Sequence, residues 1–197
     1  KNKPRCTAGK TAYNGHAHGR APGAPGGGGG GPEGVRELEP VFDAASRVLI
    51  LGSIPSPKSR AAHFYYAHPQ NRFWRVMAEL FCVPFPQTAA ERRSLALSRG
   101  FALWDVLASC SIRGADDASI RSPVPNDPQR ILAHAPIEAV FCTGQKAFSL
   151  YRRFWEKPAG RAAVLLPSTS PANCRVSFES LCAAYAAVRD ICEKNTR

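Results

Sequence analysis

One segment constrains the fold of this chain more than any other: an apolar run that passes directly into a small, polar loop and then into a helical pattern. The run is VLIL at residues 48–51, the loop begins with GSIPS at residues 52–56, and the helical pattern covers residues 72–81. A buried strand that is followed by a loop and a helix is the repeating unit of α/β proteins. Because open α/β sheets bind ligands at the carboxyl ends of their strands, this loop predicts a functional site.

Further apolar runs and helical patterns alternate along the chain. We predict strands at residues 48–51, 101–104, 139–142 and 163–166, and helices at residues 72–81, 88–98, 128–133, 147–155 and 178–194. Strands that alternate with helices favour a mainly parallel sheet covered on both faces. The predicted fold class is therefore α/β, a three-layer α/β/α sandwich with a mainly parallel central sheet. Residues 109–128 show no clear period and many turn formers, which predicts a long ordered loop.

The composition of the chain changes near residue 34. Residues 1–32 hold five Lys or Arg, no Asp or Glu, and six consecutive glycines at residues 26–31. Such a segment buries too little apolar surface to offset its conformational entropy. We therefore predict a disordered basic tail at residues 1–34 and one domain at residues 35–197, which is long enough for a sizeable core.

Charge and cysteine usage narrow the class of partner. The formal net charge of +11 suits a polyanionic partner, although a solvated basic face is the commoner cause of such a value. Because no apolar run reaches about 18 residues, we predict no membrane span. The seven cysteines form no C-x2-C or C-x4-C pair, so we predict neither a metal nor another cofactor and expect reduced thiols in an intracellular compartment.

Two segments carry a resemblance to a known family. The loop after the first apolar run continues with FYYAHPQNRFW at residues 64–74, and LPSTSP stands at residues 166–171. In this order, and with a domain-sized gap between them, they resemble the motifs of the uracil-DNA glycosylase superfamily, most of all its hypoxanthine-DNA (deoxyinosine) glycosylase family. The resemblance runs from about residue 40 to about residue 186.

That resemblance implies a function. A monofunctional DNA glycosylase of base excision repair hydrolyses the N-glycosidic bond of deaminated bases in DNA, and this family implies a preference for hypoxanthine. DNA that contains deaminated bases is the implied partner, and we expect the protein to be a monomer. A uracil-DNA glycosylase and a non-catalytic module that binds lesions in DNA remain alternatives.

The resemblance breaks at one position of the first motif. Uracil-DNA glycosylases proper carry an Asp there, and mismatch-specific relatives an Asn, to position the attacking water; this chain has Ile54, which can do neither. Catalysis has therefore moved to another residue or has been lost. In the hypoxanthine branch the Asn of the His-Pro-x-Asn segment is associated with catalysis, which implies that Asn71 is catalytic here. An Asn directly before a helix is also a favoured N-cap, and the two roles are compatible.

The other residues of the first motif are expected to hold the extruded base. By resemblance to the mismatch-specific branch, Phe64 stacks on the base, which contributes about 1–3 kcal/mol, although a buried core aromatic is the alternative. Backbone N–H groups of the tight loop would bind a carbonyl oxygen of the base. His68 stands before a proline, where a structural role is commoner than proton transfer. The predicted base-binding residues are Gly52, Ser53, Ile54, Phe64, Tyr66 and His68.

The second motif follows a predicted strand and is rich in Ser and Pro, which predicts a stiff, protruding loop at residues 166–173. The resemblance implies that this loop enters the minor groove and fills the gap left by the extruded nucleotide. A structural turn is the alternative. The predicted DNA-binding residues are Ser56, Ser168, Thr169, Ser170, Pro171 and Ala172.

The second half of the chain holds one departure and several polar residues without a clear role. Uracil-DNA glycosylases proper carry a His that stabilises the departing uracil anion where this chain has Leu166, which weakens the case for rapid uracil removal. Five polar residues match the hypoxanthine branch, and the sequence does not separate pocket residues from residues that staple loops. They are Asp105, Ser109, Arg113, Asn126 and Asp127.

Overall fold

Strands and helices alternate along the described part of the chain. The computed structural model describes residues 33–194, and the predicted tail, residues 1–34, lies outside that range except for its last two residues. In chain order the elements are β1 (Glu33–Arg36), β2 (Val48–Gly52), α1 (Pro57–Ala61), α2 (Phe73–Leu80), α3 (Ala89–Ser98), β3 (Phe101–Asp105), β4 (Leu107–Ile112), β5 (Arg121–Pro125), α4 (Gln129–Leu132), β6 (Ala139–Thr143), α5 (Gln145–Phe154), α6 (Glu156–Ala159), β7 (Ala163–Leu166) and α7 (Phe178–Glu193). A 3₁₀ turn, Asp117–Ser119, lies between β4 and β5.

The four predicted strands form one parallel sheet with the order β3-β2-β6-β7. β2 pairs in parallel with both β3 and β6, and residues 48–51 are completely buried. Continuous apolar runs are typical of parallel strands that are covered on both faces. The carboxyl ends of all four strands point to the same edge of the sheet. The predicted α/β class, with a parallel central sheet flanked by helices, is confirmed.

Helices cover this sheet, and each predicted helix is present within two residues of its predicted bounds. α2 buries the apolar stripe of Phe73, Val76, Met77 and Leu80. α7 packs against α2 and β2, while α5 packs against β6 and β7. α3 begins with a capping box, in which Thr88 Oγ1 accepts a hydrogen bond from the Glu91 N–H at 3.1 Å and Glu91 Oε2 accepts one from the Thr88 N–H at 3.2 Å. None of the helices within residues 33–194 is both long and apolar enough to cross a lipid bilayer.

The segment that the sequence predicts as a long loop, residues 109–128, contains the end of β4 and all of β5, so that prediction is wrong for these residues. β4 and β5 pair antiparallel, and β1 pairs antiparallel with the other side of β4 to give a second sheet with the order β1-β4-β5. Ser and Pro dominate these strands and hide the period that predicts a strand. Pro123 and Pro125 are tolerated because β5 lies at the edge of this sheet, where a missing backbone donor does not interrupt a ladder.

The small sheet is tied to the carboxyl edge of the large one. The Val106 N–H, between β3 and β4, donates to the Gly52 carbonyl at 2.9 Å, and the Leu107 N–H donates to the Ser53 carbonyl at 3.1 Å. Asn126 is buried, and its Nδ2 donates to the Asp105 carbonyl at 3.0 Å. These bonds fix the end of β3 against the loop that follows β2.

Replacing Asn126 with Ala should lower the free energy of unfolding by about 1–3 kcal/mol, because the buried Asp105 carbonyl then loses its donor. Chemical denaturation measures the effect. Val124→Ala is the matched control, since the Val124 side chain on β5 is 52% exposed and its loss should change stability by no more than about 0.5 kcal/mol. Equal losses in the two variants would contradict the role of Asn126 as the tie between the sheets.

Candidate active site

A cavity of about 300 Å³ opens at the carboxyl edge of the parallel sheet. Its walls come from the loop after β2, the end of β3, the end of β6, the loop after β7 and the connection between β4 and β5. This is the position at which open α/β sheets bind ligands. All the predicted site residues except Phe64 line the cavity: Gly52, Ser53, Ile54, Ser56, Tyr66, His68, Asn71, Ser168, Thr169, Ser170, Pro171 and Ala172.

Phe64 lies in the core, so the prediction that it lines the base pocket is wrong and the alternative for this residue holds. It is 8% exposed, and its ring centre lies 6.0 Å from that of Trp74 and 6.1 Å from that of Tyr65. The residues on either side of the Phe64–Tyr65 pair, His63 and Tyr66, have left-handed φ angles of 49° and 52°. Such turns are uncommon outside glycine and break the alternation of side-chain directions. Tyr65 and Tyr66 line the cavity instead.

The Tyr66 side chain lines the cavity and contacts α2 and the end of β6, which is bonded in turn to β2. Its ring stacks on Phe73 with a centroid distance of 3.9 Å and an interplanar angle of 16°. Its hydroxyl lies 3.2 Å from Thr143 Oγ1, at the end of β6, and Thr143 Oγ1 donates in turn to the Leu51 carbonyl at 3.2 Å. Because the Thr143 hydroxyl has one proton, Tyr66 is the donor of the first bond. Burial raises the pKa of Tyr66, so the phenol is neutral.

Asn71 is held at the start of α2 by its own side chain. Its Oδ1 accepts a hydrogen bond from the Phe73 N–H at 2.9 Å, and its backbone N–H donates to the His68 carbonyl at 2.8 Å. His68 Nδ1 accepts from the Gln70 N–H at 3.1 Å, which orients the ring at this junction, and its predicted contact with the base stays a prediction. A carbonyl oxygen has two lone pairs, and Asn71 Oδ1 therefore keeps one that can accept a hydrogen bond from water.

Arg72 ties the start of α2 to the loop after β7. Its guanidinium donates to the carbonyls of Asn173 at 2.7 Å and Val176 at 2.5 Å, and its backbone N–H donates to the Thr169 carbonyl at 3.1 Å. The sequence does not single out Arg72, because a basic residue at the start of a helix is usually solvated. The loop at residues 168–173 and Asn71 are thereby held in one unit.

The loop after β7 is divided into a buried base and an exposed tip. Thr169 is 1% exposed, so its side chain anchors the loop. Asn173 Nδ2 donates to the Ser168 carbonyl at 2.8 Å, and the Ala172 N–H donates to Ser170 Oγ at 3.3 Å. Pro171 and Ala172 are exposed at the tip. The predicted contacts of these residues with DNA stay predictions.

Serines of the first loop hydrogen-bond within the protein. Ser53 Oγ donates to Asp117 Oδ1 at 2.9 Å, which joins the loop to the 3₁₀ turn between β4 and β5. Burial of the carboxyl raises the pKa of Asp117, against the opposing effects of the Ser53 bond and the positive charge of Lys146. Ser56 caps α1, because its Oγ accepts from the Ser59 N–H at 3.2 Å. The predicted contacts of Ser53 and Ser56 with a ligand stay predictions.

Asp105 is the cavity residue to which sequence reasoning assigned no role. It follows the buried run of β3 and is 4% exposed, and its Oδ2 has no hydrogen-bond partner among residues 33–194. A Cβ atom on Gly52 would lie 2.4 Å from Asp105 Oδ1, so only glycine allows the carboxyl to occupy this place. Burial, with smaller contributions from the negative charges of Asp117 and Glu37, raises the pKa of Asp105 from 3.8 to about 8. The sequence signal for Asp105 is its position as an acidic residue directly after a predicted buried strand, residues 101–104.

The other unassigned polar residues do not line the cavity. Asn126 is buried and binds the Asp105 carbonyl, and Ser109 lies within β4. Arg113 and Asp127 are exposed. Within residues 33–194, no group of three or more His, Cys, Asp or Glu side chains could hold a metal ion. The absence of a metal cofactor in the reaction stays a prediction.

Comparisons with known proteins agree on one family. Residues 39–189 match the family model described as the uracil DNA glycosylase superfamily. A protein named hypoxanthine DNA glycosylase from Methanosarcina acetivorans is 30% identical over 143 residues, which cover 72% of this chain and 90% of that protein. A protein of the same name from Methanosarcina barkeri is 33% identical over 110 residues, which cover 55% of this chain and 70% of that protein. The solution NMR structure of a candidate uracil DNA glycosylase from Methanosarcina acetivorans aligns with a TM-score of 0.68 at 27% identity, over 79% of this chain and 99% of that one.

Asp105→Asn should change how stability depends on pH. The wild-type carboxyl keeps its proton in the folded state up to about pH 8 and loses it in the unfolded state near 3.8, so the folded state binds more protons between these values. The free energy of unfolding of the wild type relative to Asp105→Asn should therefore fall by about 1.4 kcal/mol per pH unit between about pH 5 and 7.5, and level off above about pH 8. Urea unfolding of both proteins measures this difference. A constant difference across that range would contradict a protonated Asp105.

Proposed function

The chain belongs to the uracil DNA glycosylase superfamily, and we propose that it is a monofunctional DNA glycosylase that hydrolyses the N-glycosidic bond of deaminated bases in DNA, with hypoxanthine preferred. The observation that carries the proposal is one cavity in which Asn71 of the first motif faces the loop of the second. The two relatives named hypoxanthine DNA glycosylase support the choice of base. Such an enzyme acts in base excision repair. Because its substrate is DNA, its place is inside the cell, and we propose that it acts as a monomer.

Asn71 is the residue that presents water to the sugar in this proposal. Ile54 occupies the position at which related enzymes carry the water-positioning side chain, and it contributes only apolar surface to the cavity. The free lone pair of Asn71 Oδ1 can orient a water molecule toward C1′ while the other lone pair caps α2. An amide cannot take the proton of that water. In this proposal departure of the base dominates the barrier, so the attacking water needs no protein base in the transition state and gives its proton to solvent afterwards. The role of Asn71 is to position the attacking oxygen.

The cavity suits a single base. Its volume of about 300 Å³ lies at the small end of ligand pockets, and its walls combine the apolar Ile54 and Ile112 with the aromatic Tyr65 and Tyr66. Hypoxanthine and uracil present a carbonyl where adenine and cytosine present an amino group. A protein donor at that position would be opposed by a second donor in the undamaged base, which costs about 1–3 kcal/mol. Uracil is therefore the second substrate of this proposal.

Release of free base from defined DNA tests the proposed function. Purified protein is incubated with duplexes that contain one deoxyinosine, deoxyuridine or deoxyxanthosine, and the released base is quantified by chromatography. We expect release of hypoxanthine to be the fastest. Tight binding of these duplexes without release of any base would contradict the proposed glycosylase activity and favour a non-catalytic module that binds lesions. That module is the competing candidate because position 54 holds Ile in place of a polar side chain.

Asn71→Ala should lower the single-turnover rate of base release by at least about tenfold, or about 1.4 kcal/mol of barrier, with little change in DNA affinity. Because the substitution also removes a helix cap worth about 1 kcal/mol, Thr88→Ala is the matched control: it removes the cap of α3, outside the cavity. The control should lower the melting temperature to a similar extent and leave the rate unchanged. Equal rates for Asn71→Ala and wild type would exclude the catalytic role.

Replacement of both Ser170 and Pro171 with Gly should impair base release more from a paired duplex than from single-stranded DNA. Extrusion of a paired base costs a few kcal/mol, which a loop that fills the vacated stack offsets, and single-stranded DNA needs little of this help. Pro84→Gly, in an exposed loop at the other end of α2, is the control for added chain flexibility. Equal losses on both substrates, together with a lower melting temperature, would identify the loop as a purely structural turn.

A further inference from the structure

We infer that Asp105 holds the departing base by donating a hydrogen bond from a neutral carboxyl group, and that ionisation of this group switches the enzyme off. The inference rests on the proposed function and adds to it a residue that stabilises the leaving group. It also predicts a regulatory property, since activity would be lost on the alkaline side of neutrality.

The geometry places an unsatisfied polar atom in the wall of the cavity. Asp105 Oδ2 is buried and has no hydrogen-bond partner among residues 33–194. A buried polar atom that lacks a partner costs about 1–3 kcal/mol, and such atoms in native proteins usually have a specific explanation. Because Asp105 lines the cavity, the bound base supplies in this proposal the partner that the carboxyl group lacks.

Hydrogen bonds fix the backbone from which the Asp105 carboxyl extends. The Asp105 carbonyl accepts from Asn126 Nδ2, and the neighbouring Val106 N–H donates to the Gly52 carbonyl. A Cβ atom on Gly52 would lie 2.4 Å from Asp105 Oδ1 and 3.9 Å from the Tyr66 hydroxyl, so the carboxyl and the phenol both border the space above Gly52. The group is therefore preorganised, as a donor that stabilises developing charge must be.

The charged and titratable groups around Asp105 favour its neutral form. Asp117 in the 3₁₀ turn and Glu37 after β1 are negatively charged neighbours, and both raise its pKa in addition to the effect of burial. Tyr65 and Tyr66, on the loop before α2, also face it, and burial raises the pKa of each phenol, so neither contributes a charge. With a pKa of about 8, the carboxyl of Asp105 carries its proton at neutral pH.

A neutral carboxyl and a carboxylate have opposite effects on this reaction. When the bond between C1′ and the base breaks, its electron pair remains on the base, and negative charge spreads over the ring nitrogens and the carbonyl oxygen. A neutral carboxyl offers one O–H donor to this charge, whereas a carboxylate offers none and repels it. Leu166 is apolar and cannot supply the donor that a histidine supplies at this position in relatives. Asp105 provides a donor from another strand.

The pH dependence of single-turnover hypoxanthine release from a deoxyinosine duplex tests this inference, with wild type and Asp105→Asn compared between pH 6 and 9.5. The wild-type rate should be nearly constant to about pH 7.5 and should fall about tenfold per pH unit well above pH 8. An amide keeps a donor at every pH, so Asp105→Asn should retain activity within about tenfold of wild type at pH 6.5 and should show no alkaline loss beyond any that titration of the substrate causes. Both proteins act on the same DNA, so that contribution cancels in the ratio of their rates.

An alkaline loss of the same size in Asp105→Asn would overturn the inference, as would complete inactivity of a folded Asp105→Asn that still binds the duplex. Glu37→Gln is the second variant, because it removes a negative neighbour outside the cavity and keeps an acceptor for Trp104 Nε1, which donates to Glu37 at 3.1 Å. Its alkaline loss should begin at lower pH than in wild type, and an unshifted profile would count against the inference. Wild-type protein that releases no base at any pH would instead refute the proposed function, and this inference with it.

Discussion

The close approach of Gly52 and Asp105 is the constraint on which the rest of the site depends. The two residues are paired in the register of β2 and β3, and the missing side chain at position 52 leaves the space that the carboxyl occupies. A Cβ atom at position 52 would meet the Asp105 carboxyl and displace it from this place. The residues that follow Asp105, Val106 and Leu107, bind the backbone carbonyls of Gly52 and Ser53, and the Ser53 side chain binds Asp117 in the turn that leads to β5. The glycine therefore decides where the Asp105 carboxyl lies at the point where the central sheet meets the small one.

Hydrogen bonds also join the start of α2 to the loop after β7, the two segments that act together in the proposed function. Asn71 and Arg72 are adjacent, and they face different partners: the side chain of Asn71 lines the cavity, while that of Arg72 binds the backbone of the loop after β7. The loop that is proposed to occupy the vacated base stack is thus held by the residue next to the one that is proposed to orient water. The start of α2 therefore contributes to both steps of the proposed reaction.

The sequence predicts the fold correctly where continuous apolar runs specify the strands. The four strands of the central sheet are continuous apolar runs, and each is present where the pattern places it. Strands β4 and β5 escape prediction because their stability comes from pairing with strands distant in sequence or with each other, β4 with both β1 and β5, and their Ser and Pro content resembles a loop. The prediction that Phe64 stacks on the base rests on resemblance to the mismatch-specific branch. Left-handed residues on both sides of the Phe64–Tyr65 pair turn the Phe64 side chain into the core. Asp105 was visible as a polar residue after a strand, but its burial and missing partner depend on the tertiary structure.

The pairing of β1 with β4 has a consequence for the order in which the molecule is built. Glu33 lies opposite Ile112, so the first described strand can pair only after more than a third of the chain has been added, and closing so long a loop is entropically unfavourable until other contacts support it. The cavity also needs Ser168 and Pro171, which are synthesised later still. The base pocket is therefore completed by residues that follow the last strand of the central sheet, and a chain that ends before them lacks one wall of the pocket.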